Sequence, residues 1–210
     1  MADLATFEVA DVGFGKGVVA ARDLPPGTTV YSVPCSSGTI LAAPTMYTIQ
    51  LTETEHIDIT GGPEFTNHSC EPNGYFKFVT ATASNDGDGD GDGNGSGKIT
   101  ALDLVLTRFV AKGELVTFNY NTTEWDMDAP FECCCGTRSC YRVIRGFKHL
   151  TQREREAIRP IVSSHLLQCA VAADATPSAA GTASSAAQPS SEKKAERRFS
   201  IETDTTDRNH

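Results

Sequence analysis

At 210 residues, with 39% hydrophobic and 21% charged residues, the chain can hold one soluble domain with a real core plus extra tail. No apolar run approaches the ~20 residues of a membrane-spanning helix, and a formal charge of −9 argues against a nucleic-acid binder and suits a basic partner. Seven cysteines, three of them consecutive, read as metal binding rather than as a disulfide framework in an intracellular protein.

The first seven residues lack a basic start followed by an apolar core. A secretory signal is therefore not expected, and the expected compartment is the nucleus or the cytoplasm. Residues 6–33 read as short strands between turns: residues 18–21, the turn Pro25-Pro26-Gly27, then the β-branched residues 28–33. Gly13, Gly15 and Gly17 punctuate the first turn. Residues 40–42, 46–51 and 56–59 add strands, broken by Pro44 and Gly61-Gly62-Pro63.

Residues 75–80 and 99–106 suggest the two strands of a hairpin. The Asp/Gly alternation between them invites a calcium reading. An EF-hand loop from Asp86 needs Glu at its twelfth position, which is Gly97, and one from Asp88 needs it at Ile99. Neither works, so residues 85–97 are expected as a flexible, solvated loop. Residues 115–120 read as a strand, and Trp125, the single tryptophan, as core or lid packing. Thr151-Gln152-Arg153-Glu154 is a capping box opening a helix over 151–170, which Pro160 must kink or restart. Ala, Ser, Thr and Pro dominate residues 171–210, expected as a disordered tail. Its basic run, Lys193-Lys194-Ala195-Glu196-Arg197-Arg198, is a nuclear import candidate, with solvated charge the blander reading.

Two stretches carry the chemistry. Residues 65–73 pack an amide, an imidazole and a thiol ahead of a proline turn, as Phe65-Thr66-Asn67-His68-Ser69-Cys70-Glu71-Pro72-Asn73. Downstream, Cys133 and Cys135 form a C-x-C, with Cys140 after four more residues. Structural zinc takes four ligands, and Cys70 is the natural fourth, tying the middle of the chain to its C-terminal third. Cys134 is expected to point away, because neighbouring side chains in an extended C-x-C diverge.

Taken together, these motifs resemble the signature of SET-domain protein lysine methyltransferases with a C-terminal post-SET zinc motif. Asn67-His68-Ser69-Cys70 with Pro72-Asn73 is similar to the first family motif, and residues 113–120 to the second, with Asn119 where the family has aspartate. Residues 15–27 are similar to its opening, and Cys133, Cys135 and Cys140 to its zinc motif. The resemblance implies a mostly β fold of small curved sheets with a knot-like C-terminal threading. The SET domain would span 5–121, the zinc-bound post-SET segment 129–147 and a C-terminal helix 151–170.

It also implies methyl transfer from S-adenosylmethionine to lysine side chains of a protein substrate, a histone tail or another basic protein, as a chromatin regulator would perform. A catalytically degenerate module that binds a basic peptide is the alternative. By position Tyr120 would be the catalytic tyrosine, and Phe118 would set how many methyl groups are accepted. Lys16, Gly17, Phe65, Asn67, His68, Tyr120 and Ile144 would hold the cofactor, Ile144 and Phe147 closing over it, and Cys70, Cys133, Cys135 and Cys140 the zinc. A monomer acting on an accessible lysine is expected, with no direct nucleic-acid or membrane contact. Two further features depart from the family: Glu64 stands where many members have arginine, and the span from Tyr31 to Asn67 leaves little room for a substrate-binding insert.

Overall fold

The computed structural model describes residues 5–81 and 98–175, and in it short strands build five small sheets in succession. β1 (Phe7–Asp11) and β2 (Lys16–Ala20) form an antiparallel hairpin. Its turn uses Gly13 and Gly15 at φ of 85° and 125°, which a side chain would oppose. β3 (Thr29–Pro34) belongs to the main sheet. β4 (Thr39–Leu41), β5 (Thr48–Gln50) and β6 (His56–Asp58) form a second sheet with β6 in the middle. The strands expected over 40–42, 46–51 and 56–59 are thus present, as one three-stranded sheet in the span before Asn67. Very short strands with tight turns achieve this.

β7 (Asn67–His68) is followed by β8 (Gly74–Thr80) and β9 (Ile99–Leu106), which pair antiparallel as expected. The main sheet has the order β3-β9-β8. Along β9 the alternate residues Leu102, Leu104 and Leu106 are buried, the period of a half-buried strand. They pack with Val18, Leu24, Val30, Phe76, Val110 and Val116 in the principal core. Each such side chain contributes roughly 1.5–3 kcal/mol by leaving water.

β10 (Thr117–Phe118) runs parallel to β7, pairing Thr117 with Asn67 and Phe118 with His68. The strand expected over residues 115–120 is thus cut short. The Asn119 side chain accepts a hydrogen bond from the Asn121 N–H at 3.1 Å and caps a 3-10 turn over Tyr120–Thr122. A short polar side chain that bonds its own backbone competes with a ladder partner, and here it wins.

β11 (Phe131–Glu132) and β12 (Val143–Ile144) form the last hairpin, around a small core of Cys70, Cys133 and Ile144. The C-terminal helix is two helices. α1 (Gln152–Ile158) carries the capping box between Thr151 and Glu154, a 3-10 turn over Arg159–Ile161 contains Pro160, and α2 (Ser164–Ala175) restarts. Proline has no N–H to continue the ladder, so the break falls there. α2 also runs past residue 170, so 171–175 are helical rather than tail. The Asp/Gly segment 85–97 and the rest of the tail lie outside the described residues. Among the described residues no helix is long and apolar enough to cross a membrane.

Candidate active site and metal centre

Parallel pairing of β7 with β10 brings the two sequence motifs side by side, and Tyr120 follows directly on β10. Its backbone N–H donates to His68 Nδ1 at 3.1 Å. That bond makes Nδ1 the acceptor, so the ring proton sits on Nε2, which lies 3.2 Å from Cys70 Sγ. Burial pulls the imidazole down to about 4, keeping it neutral. The backbone of Tyr120 is thus tied through one imidazole to a cysteine of the thiol cluster.

The Tyr120 hydroxyl donates to the Thr66 carbonyl at 2.9 Å. Thr66 is itself fixed: its hydroxyl donates to the Pro63 carbonyl, and the Tyr31 hydroxyl donates to Thr66 Oγ1, both at 2.8 Å. Burial pushes the Tyr120 phenol up to about 12, so it stays protonated. With its hydrogen committed to Thr66, the oxygen keeps its lone pairs for a ligand. The Tyr120 ring packs 4.7 Å from Phe118, 5.2 Å from His68 and 5.9 Å from Phe131, and Phe118 stacks edge-on against Phe76 at 4.8 Å.

Phe118 and Tyr120 line a cleft of ≈ 540 Å³ together with Gly15, Lys16, Phe65 and Asn67. The Asn67 amide nitrogen donates to the Lys16 and Phe65 carbonyls at 3.0 and 3.1 Å, and the Lys16 ammonium sits 4.9 Å over the Phe65 ring. Among the described residues Asn67 Oδ1 has no partner, which leaves it for a ligand donor. Gly17 lies behind this wall, where a Cβ would meet Leu115 Cδ1 at 2.6 Å and Asn67 Nδ2 at 2.8 Å. Its glycine is required by close packing of the hairpin. Gly17 and His68 do not line the cleft themselves.

Ile144 and Phe147 do not line it either. Ile144 is fully buried in the core with Cys70 and Cys133, and Phe147 is buried with Ile158 and Leu166 and packs 6.2 Å from Trp125. The apolar residues that reach the cleft from this part of the chain are Met127, Ala129, Pro130 and Phe131 instead. Alternation across β12 would have put Ile144 and its neighbours on opposite faces, but nothing in the sequence states which face is the core.

The middle sheet supplies another wall, from Pro44 to Ile49, and with it a residue that sequence reasoning missed. Glu124 lines the cleft yet is only 8% exposed. Its Oε1 accepts from the Gln50 N–H at 3.0 Å and from the Thr123 hydroxyl at 3.2 Å, while the Trp125 N–H donates to Gln50 Oε1 at 2.8 Å. Burial pushes its carboxyl up to about 7 against these bonds. Residues 121–126 show no apolar period that could have flagged a buried acid. Glu64 also lines the cleft, its carboxylate accepting from the Gly62 N–H at 2.7 Å.

The four thiols come together. The Sγ atoms of Cys70, Cys133, Cys135 and Cys140 all lie within 4.8 Å of one another, and Cys134 is exposed outside the cluster. Tetrahedral zinc at ~2.3 Å from each sulfur sets the sulfurs ~3.8 Å apart, and Cys70 Sγ is 3.8 Å from Cys133 Sγ. The Tyr141 and Arg142 N–H groups point at Cys70 and Cys140 Sγ, each at 3.4 Å, as donors that stabilise thiolates. The donor set and its spacing fit zinc, and four thiolates leave no open coordination position. Glu71 closes the segment from outside, accepting from the Ser139 N–H at 3.0 Å and hydroxyl at 2.6 Å.

Compared with known proteins, residues 15–121 match the SET domain. A histone-lysine N-methyltransferase of Yarrowia lipolytica, named as H3 lysine-36 specific, is 30% identical over 151 residues, which is 63% of this chain and 17% of that protein. Methyltransferase flvH of Aspergillus flavus is 29% identical over 91 residues, 43% of this chain and 40% of that protein. The chain therefore spans less than half the length of either relative. The solved structure of KRYPTONITE in complex with mCHG DNA and SAH aligns at a TM-score of 0.49 and 19% identity, covering 65% of this chain and 29% of that one.

Proposed function

The chain belongs to the SET-domain family, and from that premise we propose that it is a protein-lysine methyltransferase using S-adenosylmethionine. The observation that carries the reading is the Tyr120 hydroxyl, fixed on Thr66 at 2.9 Å beside Phe118 in the cleft. S-adenosylmethionine, when bound, supplies a methyl group on a positively charged sulfur that a neutral amine can attack. Lys16, Phe65 and Asn67 would hold it from the hairpin side, with Gly17 and His68 shaping that wall from behind. The unpartnered Asn67 Oδ1 and the Lys16–Phe65 shelf support this fit.

The substrate amine must lose a proton first, because a free lysine has a pKa of ~10.4. An apolar channel of aromatic rings disfavours the ammonium and lowers that value. The Tyr120 oxygen presents lone pairs, which orient an amine N–H and face the polarised methyl. Its phenol stays protonated, so it acts by placement and dipole and not as a base. Phe118 offers no hydroxyl to hold the nitrogen, which leaves room for an amine that already carries methyl groups.

The zinc at Cys70, Cys133, Cys135 and Cys140 would be structural. It pins Cys70, and through the Cys70–His68–Tyr120 bonds it holds the tyrosine backbone. At Asn119, where the family has aspartate, the capping bond needs only a side-chain oxygen, which asparagine has. Relatives named as histone methyltransferases make histone H3 the first substrate to test and the nucleus the favoured compartment.

The deciding experiment incubates the zinc-loaded protein with labelled S-adenosylmethionine, histone H3 and a mixed lysate, and identifies labelled residues by mass spectrometry. Labelled lysine is expected, and lost in Tyr120→Phe. Binding of the cofactor without label on any substrate would leave the binding-only module as the better description.

A further inference from the structure

Glu124 is more than nine-tenths buried, lines the same cleft as Tyr120, and has no cation beside it among the described residues. Its Oε1 is taken by the Gln50 N–H and the Thr123 hydroxyl. Its Oε2 has no partner among the described residues. A carboxylate held out of water without a counter-ion is costly, and a fold keeps one in a cleft where a ligand supplies the missing partner. Lys16 is the one cation among the cleft-lining residues, and it is stacked on Phe65; Glu64 and Asp128 add further negative charge.

We propose that Glu124 Oε2 is the subsite that receives the substrate's ammonium group and accepts the proton it must lose. This deepens the methyltransferase reading and rests on it. In the step, the ammonium N–H bond breaks, its electron pair stays on nitrogen, and the proton moves to the carboxylate, giving a neutral amine and a neutral carboxylic acid. The nitrogen pair then forms the new N–C bond to the methyl of the sulfonium donor, while the S–C pair remains on sulfur as a thioether. Within a dry cleft a neutral pair is favoured over an ion pair by lower desolvation cost, so the transfer suits the site.

The titratable and charged groups that face Glu124 do not take this role. Tyr120, on its own turn, stays protonated. His56, on the strand that pairs with Gln50, and His165, beside the Thr123 backbone, are both pulled down by burial, His165 to about 4, and are neutral near pH 7. Lys16, Glu64 and Asp128 line the same cleft. The burial that lifts Glu124 to about 7 matches it to accept a proton near neutral pH.

The test uses n-butylammonium chloride as a probe for the lysine terminus and n-butanol as its uncharged counterpart. Titration of Glu124 in the full, zinc-loaded chain is followed by carbon-13 NMR of the carboxylate. Butylammonium is expected to shift the Glu124 midpoint up by about one pH unit or more, because the transferred proton stays on the carboxyl, and butanol to leave it alone. A downward shift would mark an ion pair that keeps its proton on nitrogen and would overturn the transfer. Glu124→Gln keeps the side-chain shape and an oxygen for the Gln50 N–H. It is expected to lose butylammonium binding, retain S-adenosylmethionine affinity, and lower kcat/KM on the order of a hundredfold with loss of the acid limb near pH 7. A Glu124 midpoint indifferent to butylammonium would overturn the proposal, as would equal butylammonium binding in Glu124→Gln. Neither arm requires turnover, so a failed methyltransferase assay and a failed amine subsite give different results.

Discussion

Tyr120 and Glu124 are two ionisable groups raised by the same burial, with opposite consequences. Tyr120 stays a phenol at every physiological pH. Tyr120→Phe therefore removes one fixed dipole and no charge: melting temperature and cofactor affinity should hold, while methyl transfer falls on the order of a hundredfold or more. Phe118→Tyr should place a hydroxyl where a methylated amine needs space, so products analysed by mass spectrometry should shift to fewer methyl groups per lysine. Glu124 changes charge within the working range. Its carboxyl binds a proton more tightly folded, at about 7, than at its ordinary 4.5. Its contribution to stability is full below pH 4.5 and is lost as pH rises through 7. The loss is on the order of 3 kcal/mol. Glu124→Gln should accordingly melt higher than the wild type at pH 8, with the difference vanishing by pH 4.5, when both are followed by circular dichroism. A lower melting temperature at pH 8 would mean that the carboxylate serves only as a strut.

Short elements decide how much of this could be read from the chain beforehand. The capping box at Thr151 and the β8–β9 hairpin were legible from residue pattern, and the convergence of Cys70 on Cys133, Cys135 and Cys140 from the four ligands that structural zinc requires. The end of β10 was not. Residues 115–120 carry the composition of a strand, and only the Asn119 side chain turning back on its own backbone stops it. The face of β12 was equally closed to inspection, so Ile144 was expected at the cofactor and lies instead against the thiols. The metal segment gives a direct check. Metal analysis should find about one zinc per chain, kept in Cys134→Ser and lost in Cys135→Ser. Chelation should also lower cofactor affinity, since the bonds holding Tyr120 pass through Cys70. Loss of zinc in Cys134→Ser alone would contradict the cluster.

At the scale of the molecule, the cleft is the meeting place of segments far apart in sequence, and this sets what motifs can reveal. Asn67 and Tyr120 were found because a pattern marks them. Glu124, Thr66 and Phe131 became visible only when the middle sheet and the last hairpin closed on the same space. The helical end of the described chain holds to the rest through Leu166, which is fully buried with Phe147 and Ile158. Leu166→Ala should cost about 2–5 kcal/mol in denaturant unfolding, with Trp125 fluorescence reporting the loss. The pairing of Cys70 with a sulfur 63 residues further along has a consequence for how the protein is made. β7 has no β10 until residues 117 and 118 are made, and Cys70 has no companions until residue 133, so the chain waits with this cleft unassembled. Long-range closure of this kind slows folding relative to a helical domain of equal size. Free zinc present during synthesis would act once residues 133–140 emerge, capturing them on Cys70 and converting a reversible encounter into a finished site.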